Sequence, residues 1–462
     1  MKQMKTPNTF LIVGSILVLV ALCTWIVPSG VFDREKLGHR DVVVPGTYHQ
    51  VAAEPQGMGA LMMAPIRGFV AAAEIIGFVL IVGGAFGLLQ RTGAVDAGIA
   101  ELVRATKGSQ LLGMAVIPLS MFMFSFFGGL IGMSEEILPF VLVFVPLSLS
   151  LGYDSIVGVA MPFIGAGAGF AGAFMNPFTI GVAQAVAQLP PGSGFSYRIV
   201  CWVIITMVAV LFVMSYARKI YKNPSLSPVY DLDQIKRHEL KLDQQAELLL
   251  TGRHVAVLIT FVLGMVVLVA GVLKLGWYIE EISAVFLATG LACGLVGRLG
   301  RNDAVDAFLS GSTALLSTAL IIALARSILV IAEQGKIIDT FLHGFSSILD
   351  HLPAVVCAQI MFLVQTVLNF FVPSGSGQAA LTMPIMAPLG DLVGVSRQTA
   401  VLAFQFGDGF SNLIIPTSAV CMGVLALGGI PWEKWARWVL PLQLFFVLTG
   451  MVLLIPPFFM GW

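Results

Sequence analysis

Residues 370–384 read FFVPSGSGQAALTMP, a polar turn between two apolar runs long enough to lie in a membrane. Three helix breakers, Pro373, Gly375 and Gly377, fall within five positions, interleaved with Ser374 and Ser376 and followed by Gln378. Unpaired backbone groups in hydrocarbon cost several kcal/mol each, so non-helical backbone at that depth survives only where protein or a water-filled cavity surrounds it. The turn is therefore expected to line a cavity. Ser376 is expected to cap the following apolar arm, whose free amides and positive dipole end favour an anion such as a carboxylate.

The rest of the chain sets the solvent around this turn. Of 462 residues 58% are hydrophobic and 11% charged, about half the charge fraction of a soluble domain. The reading is an all-α polytopic membrane protein. The formal net charge is zero, so nothing argues for a nucleic-acid partner; the partners expected are a small-molecule substrate and the lipid bilayer. The five cysteines lie in separate apolar segments without CxxC spacing, and the six histidines fall in loops or at segment ends. Neither set suggests a disulfide, a metal site or a buried proton relay, and no cofactor motif is present. The apolar run 10–27 is longer than a signal h-region and lacks a cleavage site, which makes it a first anchor.

Full crossings are expected near 10–27, 74–90, 155–189, 199–217, 254–273, 281–297, 313–334, 398–430 and 438–458. Two further pairs of apolar arms, 111–150 and 353–390, carry a polar break in the middle and read as re-entrant hairpins. Nine crossings with a cytoplasmic N-terminus put sixteen lysines and arginines inside and eight outside, with Arg326 within a span, the bias that an inner membrane favours. The loop 218–252, with mixed charge, reads as a solvated connector holding no site. Trp25, Trp277, Trp432, Trp435 and Trp438 read as interfacial anchors.

Landmarks then recur. Gly68 and Gly311, Gly93 and Gly335, Ser134 and Ser376, and Pro177 and Pro416 pair at offsets of 239 to 243. With one linking crossing between them, the two units are oppositely oriented, an inverted repeat whose usual consequence is a midplane site with alternating access. The division is a first repeat at 1–217 (hairpin 111–150, broken helix 155–189), a loop and linking helix at 218–273, and a second repeat at 274–462 (hairpin 353–390, broken helix 398–430).

In GGLIGMSEEILPF, Ser134 and Glu136 stand where Ser376 and Gln378 stand in the second hairpin. In GAFMNPFTIGVAQ, Pro177 breaks a crossing beside Asn176 and Thr179; in FGDGFSNLIIPTSAV, Pro416 does so beside Asp408, Asn412, Thr417 and Ser418. A charge at the centre of a spanning helix costs about 2.5–3.5 kcal/mol, so Glu135, Glu136, Arg326 and Asp408 are expected to face the cavity. There the acids meet a cationic group or a coupling proton and Arg326 meets a carboxylate; alternatively, Glu135 and Glu136 complement a helix N-terminus while Arg326 and Asp408 pair structurally. The candidate substrate set is Ser134, Glu135, Glu136, Asn176, Thr179, Ser374, Ser376, Gly377, Gln378, Asp408, Asn412, Thr417 and Ser418. Gly167, Gly169 and Gly172 satisfy GxGxxG without a preceding strand, and read as close helix packing. Ser376 lacks the GxSxG spacing of a hydrolase elbow.

Two blocks, LGYDSIVGVAMPFIGAGAGFAGAFMNPFTIGVAQ with the preceding GMSEEILPFV, and NFFVPSGSGQAALTMPIMAPLGDLVGVSRQTAVLAFQFGDGFSNLIIPTSAV, closely resemble the YfcC family. That family sits within the C4-dicarboxylate anaerobic carrier group of the ion transporter superfamily. The resemblance implies an inverted-repeat transporter, usually a homodimer, with an elevator-like motion and either a dicarboxylate or a basic amino acid as substrate. A proton or sodium ion is the coupling ion to consider. The tips here read Ser-Glu-Glu and Ser-Gly-Ser-Gly-Gln where superfamily relatives carry Ser-Asn-Thr, a departure that bears on both the dicarboxylate and the sodium sites. One arginine within a span against several buried acids fits a side-chain-cationic amino acid of the arginine or ornithine type better than succinate or fumarate. An intramembrane enzyme would need a nucleophile and base, or metal ligands, in one cavity, and the sequence offers no such cluster.

Overall fold

The computed structural model describes residues 9–37, 40–44, 46–106, 110–239, 249–346 and 352–462. Among the described residues, eight helices are long and apolar enough to cross a membrane. They are Ala73–Arg91, Leu112–Ile131, Phe195–Lys222, Gly252–Val272, Ile279–Val296, Arg301–Gln334, Ala354–Phe371 and Trp432–Met460. The expected crossings at 155–189 and 398–430 are interrupted, and Leu112–Ile131 and Ala354–Phe371, read as hairpin arms, are each long enough to cross alone. Helix length therefore does not by itself return nine crossings.

Both hairpin segments are helix–break–helix. Gln110–Ile131 ends at Gly132, one 3-10 turn follows at Glu135–Ile137, and Leu138–Ser150 completes the unit. Ala354–Phe371 and Gly375–Val393 flank the second break. Ser155–Ala171 packs against both arms of the first unit, as Arg397–Ser411 does against both arms of the second. Met58–Ala71 packs along Leu316–Gln334, and Arg301–Ala314 along Ala73–Arg91. These crossings are close: a Cβ on Gly68 would lie 2.3 Å from the Ala323 carbonyl oxygen, and one on Gly311 would lie 2.2 Å from that of Gly83. The GxGxxG glycines are likewise packing residues, Gly169 against the Ser125 carbonyl and Gly172 against Trp202.

Four features depart from the all-helical reading and its connectors. Short antiparallel ribbons, Gly30–Val31 with His49–Gln50 and Arg34–Leu37 with Arg40–Val43, fold the segment after the first helix. Helices Met58–Ala71 and Ala94–Thr106 were not anticipated, because their apolar stretches are too short or too amphipathic to read as spans.

The 218–252 loop is not a solvated connector where it is described. Tyr230–Glu239 is a docked helix whose Asp233 is buried, accepting from the Ser155 amide at 2.8 Å and the Ser155 hydroxyl at 2.5 Å. Lys236 Nζ donates to Ser155 Oγ at 2.8 Å and to Asp233 at 3.0 Å, while Arg237 donates to the carbonyls of Leu149 and Tyr153. Three charged side chains, Asp233, Lys236 and Arg237, convert a polar run into a clasp, a pairing that local charge alternation does not reveal. Positions 240–248 lie outside the described residues.

Tryptophans 435 and 438 are buried, not interfacial. The break after Ser411 frees carbonyls that the helix would have used. Trp432 Nε1 donates to Ile414 O and Trp435 Nε1 to Leu413 O, each at 2.9 Å. Two indoles thus satisfy carbonyls left open where the helix stops at Ser411.

Candidate functional site

The two tips and the two interrupted helices meet at one cavity of about 190 Å³. Its walls include Ser134, Glu135, Glu136, Thr179, Arg326, Ser374, Gly375, Ser376, Asn412, Thr417 and Ser418. Apolar faces from Phe78, Ile282, Phe170 and Ile322 close it, together with Tyr278, whose ring lies 4.9 Å from that of Phe178.

The first tip turns at Gly132, whose φ of +73° is a left-handed conformation that only glycine adopts cheaply. A side chain there would also strike the Asn176 carboxamide, 2.4 Å from the ideal Cβ. Ser134 does not cap the turn with its hydroxyl; the Ser134 amide instead donates to the Glu136 carboxylate at 2.9 Å. Glu135 and Glu136 are half-buried, at the start of a helical segment whose positive end complements them.

The second tip is capped two residues earlier than expected, by Ser374 and not Ser376. Ser374, in extended backbone, accepts from the Gly377 amide at 3.4 Å, and the helix begins at Gly375. Ser376 is thereby the second helical residue and points its side of the helix to the cavity wall. Glycine at 375 lets the tip seat: an added Cβ would lie 2.4 Å from Thr179 Cγ2 and 3.0 Å from Asp408 Oδ2.

Four expected site residues lie elsewhere. Gln378 is fully buried between the arms, donating to Gln365 O at 2.9 Å and Gln365 Oε1 at 2.7 Å, so it pins the hairpin and does not reach the cavity. Gly377 lines a different cavity. Asn176 is buried behind the first tip, where its Oδ1 accepts from the amides of Phe178 and Thr179 at 2.9 and 3.3 Å and so fixes the turn that leads into the short helix Ile180–Val186. Asp408 is buried behind the second tip and is not among the cavity-lining residues; its Oδ1 accepts from Asn412 Nδ2 at 3.2 Å. No ion pair joins Asp408 to Arg326 among the described residues. Several buried polar atoms here have no protein partner: Asn176 Nδ2, Thr179 Oγ1, Arg326 Nε, Asp408 Oδ2, Asn412 Oδ1 and Thr417 Oγ1. Groups of this kind await a ligand or water.

A second cavity, about 620 Å³, shares Arg326, Leu329, Ser374 and Ser376 with the first. Arg34, Glu333, Lys336 and Asp339 add charge to its wall. Of these, Arg34 holds Asp339 at 3.0 Å, and burial pushes the Asp339 carboxyl above its ordinary range against the pull of the Phe32 amide and Arg34. The sequence reading missed this vestibule. Projecting the Arg326 face along its helix would have found Glu333, two turns on. Among the described residues, no group of three or more His, Cys, Asp or Glu side chains is placed to hold a metal ion.

Comparison with known proteins now adds the family. The C4-dicarboxylate anaerobic carrier family matches residues 6–458. A protein of Escherichia coli strain K12, named "Putative basic amino acid antiporter YfcC", is 37% identical over 98% of this chain and 96% of its own. An uncharacterized protein of Haemophilus influenzae is 28% identical over 98% of this chain and 97% of its own. Among solved structures, the Alcanivorax borkumensis YdaH transporter aligns at 18% identity and a TM-score of 0.44, covering 99% of both chains. Neisseria gonorrhoeae MtrF aligns at 17% identity and 0.46, covering 98% of this chain and 95% of its own. The polytopic helical architecture and the sequence match agree: this chain belongs to the C4-dicarboxylate anaerobic carrier family and, within it, stands with YfcC.

Proposed function

We propose that this membrane transporter is an alternating-access antiporter of carboxylate-bearing metabolites, with basic amino acids of the arginine or ornithine type as its substrates. One observation carries the reading: a single cavity presents two carboxylates, Glu135 and Glu136, together with Arg326 and the N-terminus of Gly375–Val393. A zwitterion with a cationic side chain needs one acidic and one anion-accepting subsite, and both are there. The substrate carboxylate lies at Ser374, Ser376 and the free amides of the helix start, with Arg326 beside it. The cationic end meets Glu135 and Glu136.

The two helix–break–helix units serve as re-entrant hairpins in an inverted repeat, first unit 1–217 and second 274–462 joined through 218–273, in the inner membrane with a cytoplasmic N-terminus. The reciprocal crossings at Gly68 and Gly311 support that symmetry. The second tip and Arg326 border both cavities and so form the partition between vestibule and site. Substrate arrives through the vestibule, the second tip closes behind it, and the pseudo-symmetric first tip opens to the other side.

Exchange of C4-dicarboxylates is the second reading, favoured by the unpartnered Nε of Arg326 next to a helix N-terminus. Counterflow in proteoliposomes separates the two. Arginine- or ornithine-loaded vesicles accelerate uptake of labelled arginine under the first reading, and Glu136→Gln weakens that response. Succinate- or fumarate-driven exchange that depends on Arg326, with no response to arginine, replaces the first reading by the second.

A further inference from the structure

Arg198, just before the expected crossing at 199–217, is fully buried near the start of Phe195–Lys222. Of its five donors, Nη2 reaches Gln398 Oε1 at 3.1 Å, while Nε and Nη1 are buried with no acceptor. No carboxylate pairs with it among the described residues; Asp391, in the last turns of Gly375–Val393, is held by Arg397. Its surroundings deepen the imbalance. Gln398 is the second residue of Arg397–Ser411, so two helix N-termini, each with a positive dipole end, converge on the guanidinium. The remaining side chains are neutral: Gln398 donates to Ser193 Oγ, and Gln184 donates to the Ser193 carbonyl at 2.8 Å. The Trp462 ring lies 5.4 Å from the guanidinium carbon, and its own Nε1 is a third buried donor without an acceptor. An aromatic face offsets part of a buried cation but accepts none of these N–H groups.

We infer that Arg198 Nε and Nη1 with Trp462 Nε1 form a binding site for a small monovalent anion of the halide class, separate from the transport cavities. Neither residue lines either cavity. Full burial of the guanidinium excludes a lipid headgroup or other bulky oxyanion, and a donor-only set has nothing to offer a cation. A bound halide supplies the missing charge and acceptor at once, tying together the starts of two helices and the turn that carries Trp462.

The test is thermal unfolding of the purified full chain in detergent, at constant ionic strength, titrating sodium chloride or sodium bromide against sodium gluconate. The midpoint rises saturably with chloride and with bromide and does not respond to gluconate. Arg198→Gln removes the halide response. Trp462→Phe keeps the ring and deletes one charge-assisted donor, moving the half-saturating concentration up on the order of tenfold. An unfolding midpoint equal in chloride and gluconate overturns the site. So does a halide response that survives unchanged in both variants. Should Arg198→Gln not fold, Trp462→Phe alone decides between these outcomes.

Discussion

Gly375→Ala is the most discriminating single change at the second tip. The new Cβ would collide with Thr179 Cγ2 at 2.4 Å and press on Asp408 Oδ2 at 3.0 Å, with Phe170 Cζ in ordinary contact at 3.5 Å. Overpacking of this kind costs about 1–3 kcal/mol, which at 1.36 kcal/mol per decade lowers the population with the tip seated by roughly 5- to 150-fold. If each transport cycle passes through that seated state, counterflow of labelled arginine slows by the same order while the folded bundle persists. Gly377→Ala is the control: its Cβ would meet the Ser374 side chain, at 3.0 Å from Oγ and 3.3 Å from Cβ, and Val372 Cγ1 in ordinary contact at 3.9 Å, in the wall of the second cavity. Thr179→Ser removes the nearest clashing methyl, so the Gly375→Ala, Thr179→Ser double variant recovers part of the lost rate. Wild-type exchange by Gly375→Ala, or equal damage from Gly377→Ala, refutes the seated-tip argument.

The other predictions concern charge and support. Glu136→Gln keeps an oxygen for the Ser134 amide but removes the charge, so the apparent affinity for arginine falls on the order of 10- to 100-fold with little change in unfolding temperature. Asp233→Ala leaves Lys236 and the Ser155 amide without their buried partner and destabilises the folded protein by about 3–5 kcal/mol, read as a lower thermal midpoint. Trp435→Phe leaves the Leu413 carbonyl with only the weak Cys421 thiol at 3.7 Å and costs about 1–3 kcal/mol, whereas an interfacial anchor would show no such loss.

The sequence made the breaks legible because proline and glycine act locally. Pro177, Pro416 and Pro373 stand at the interruptions, whereas Gly375 and Gly377, read as breakers beside Pro373, fall in the first turn of Gly375–Val393. It could not show which side of a helix a polar group takes. Gln378 and Glu136 occupy matching positions, yet one pins the hairpin arms and the other lines the cavity, a difference set by Gln365 across the fold. Asp408 looked like a cavity acid, but Gly375 sits between it and the open volume. The tryptophans near span ends resembled anchors until the carbonyls freed by the second break supplied partners for their indoles. Arg198 and the Asp233 clasp were missed for one reason. Their partners lie some 80 to 200 residues away, where periodicity carries no signal.

The central claim is that both tips border one water-filled chamber reached from opposite sides in turn. Single cysteines at 134 and 376, with the five native cysteines replaced, can be challenged in oriented vesicles by an impermeant maleimide. The account predicts that the two positions label from opposite faces, with rates that change reciprocally when arginine or ornithine is added. Labelling of neither position, or of both from one face under every condition, contradicts it.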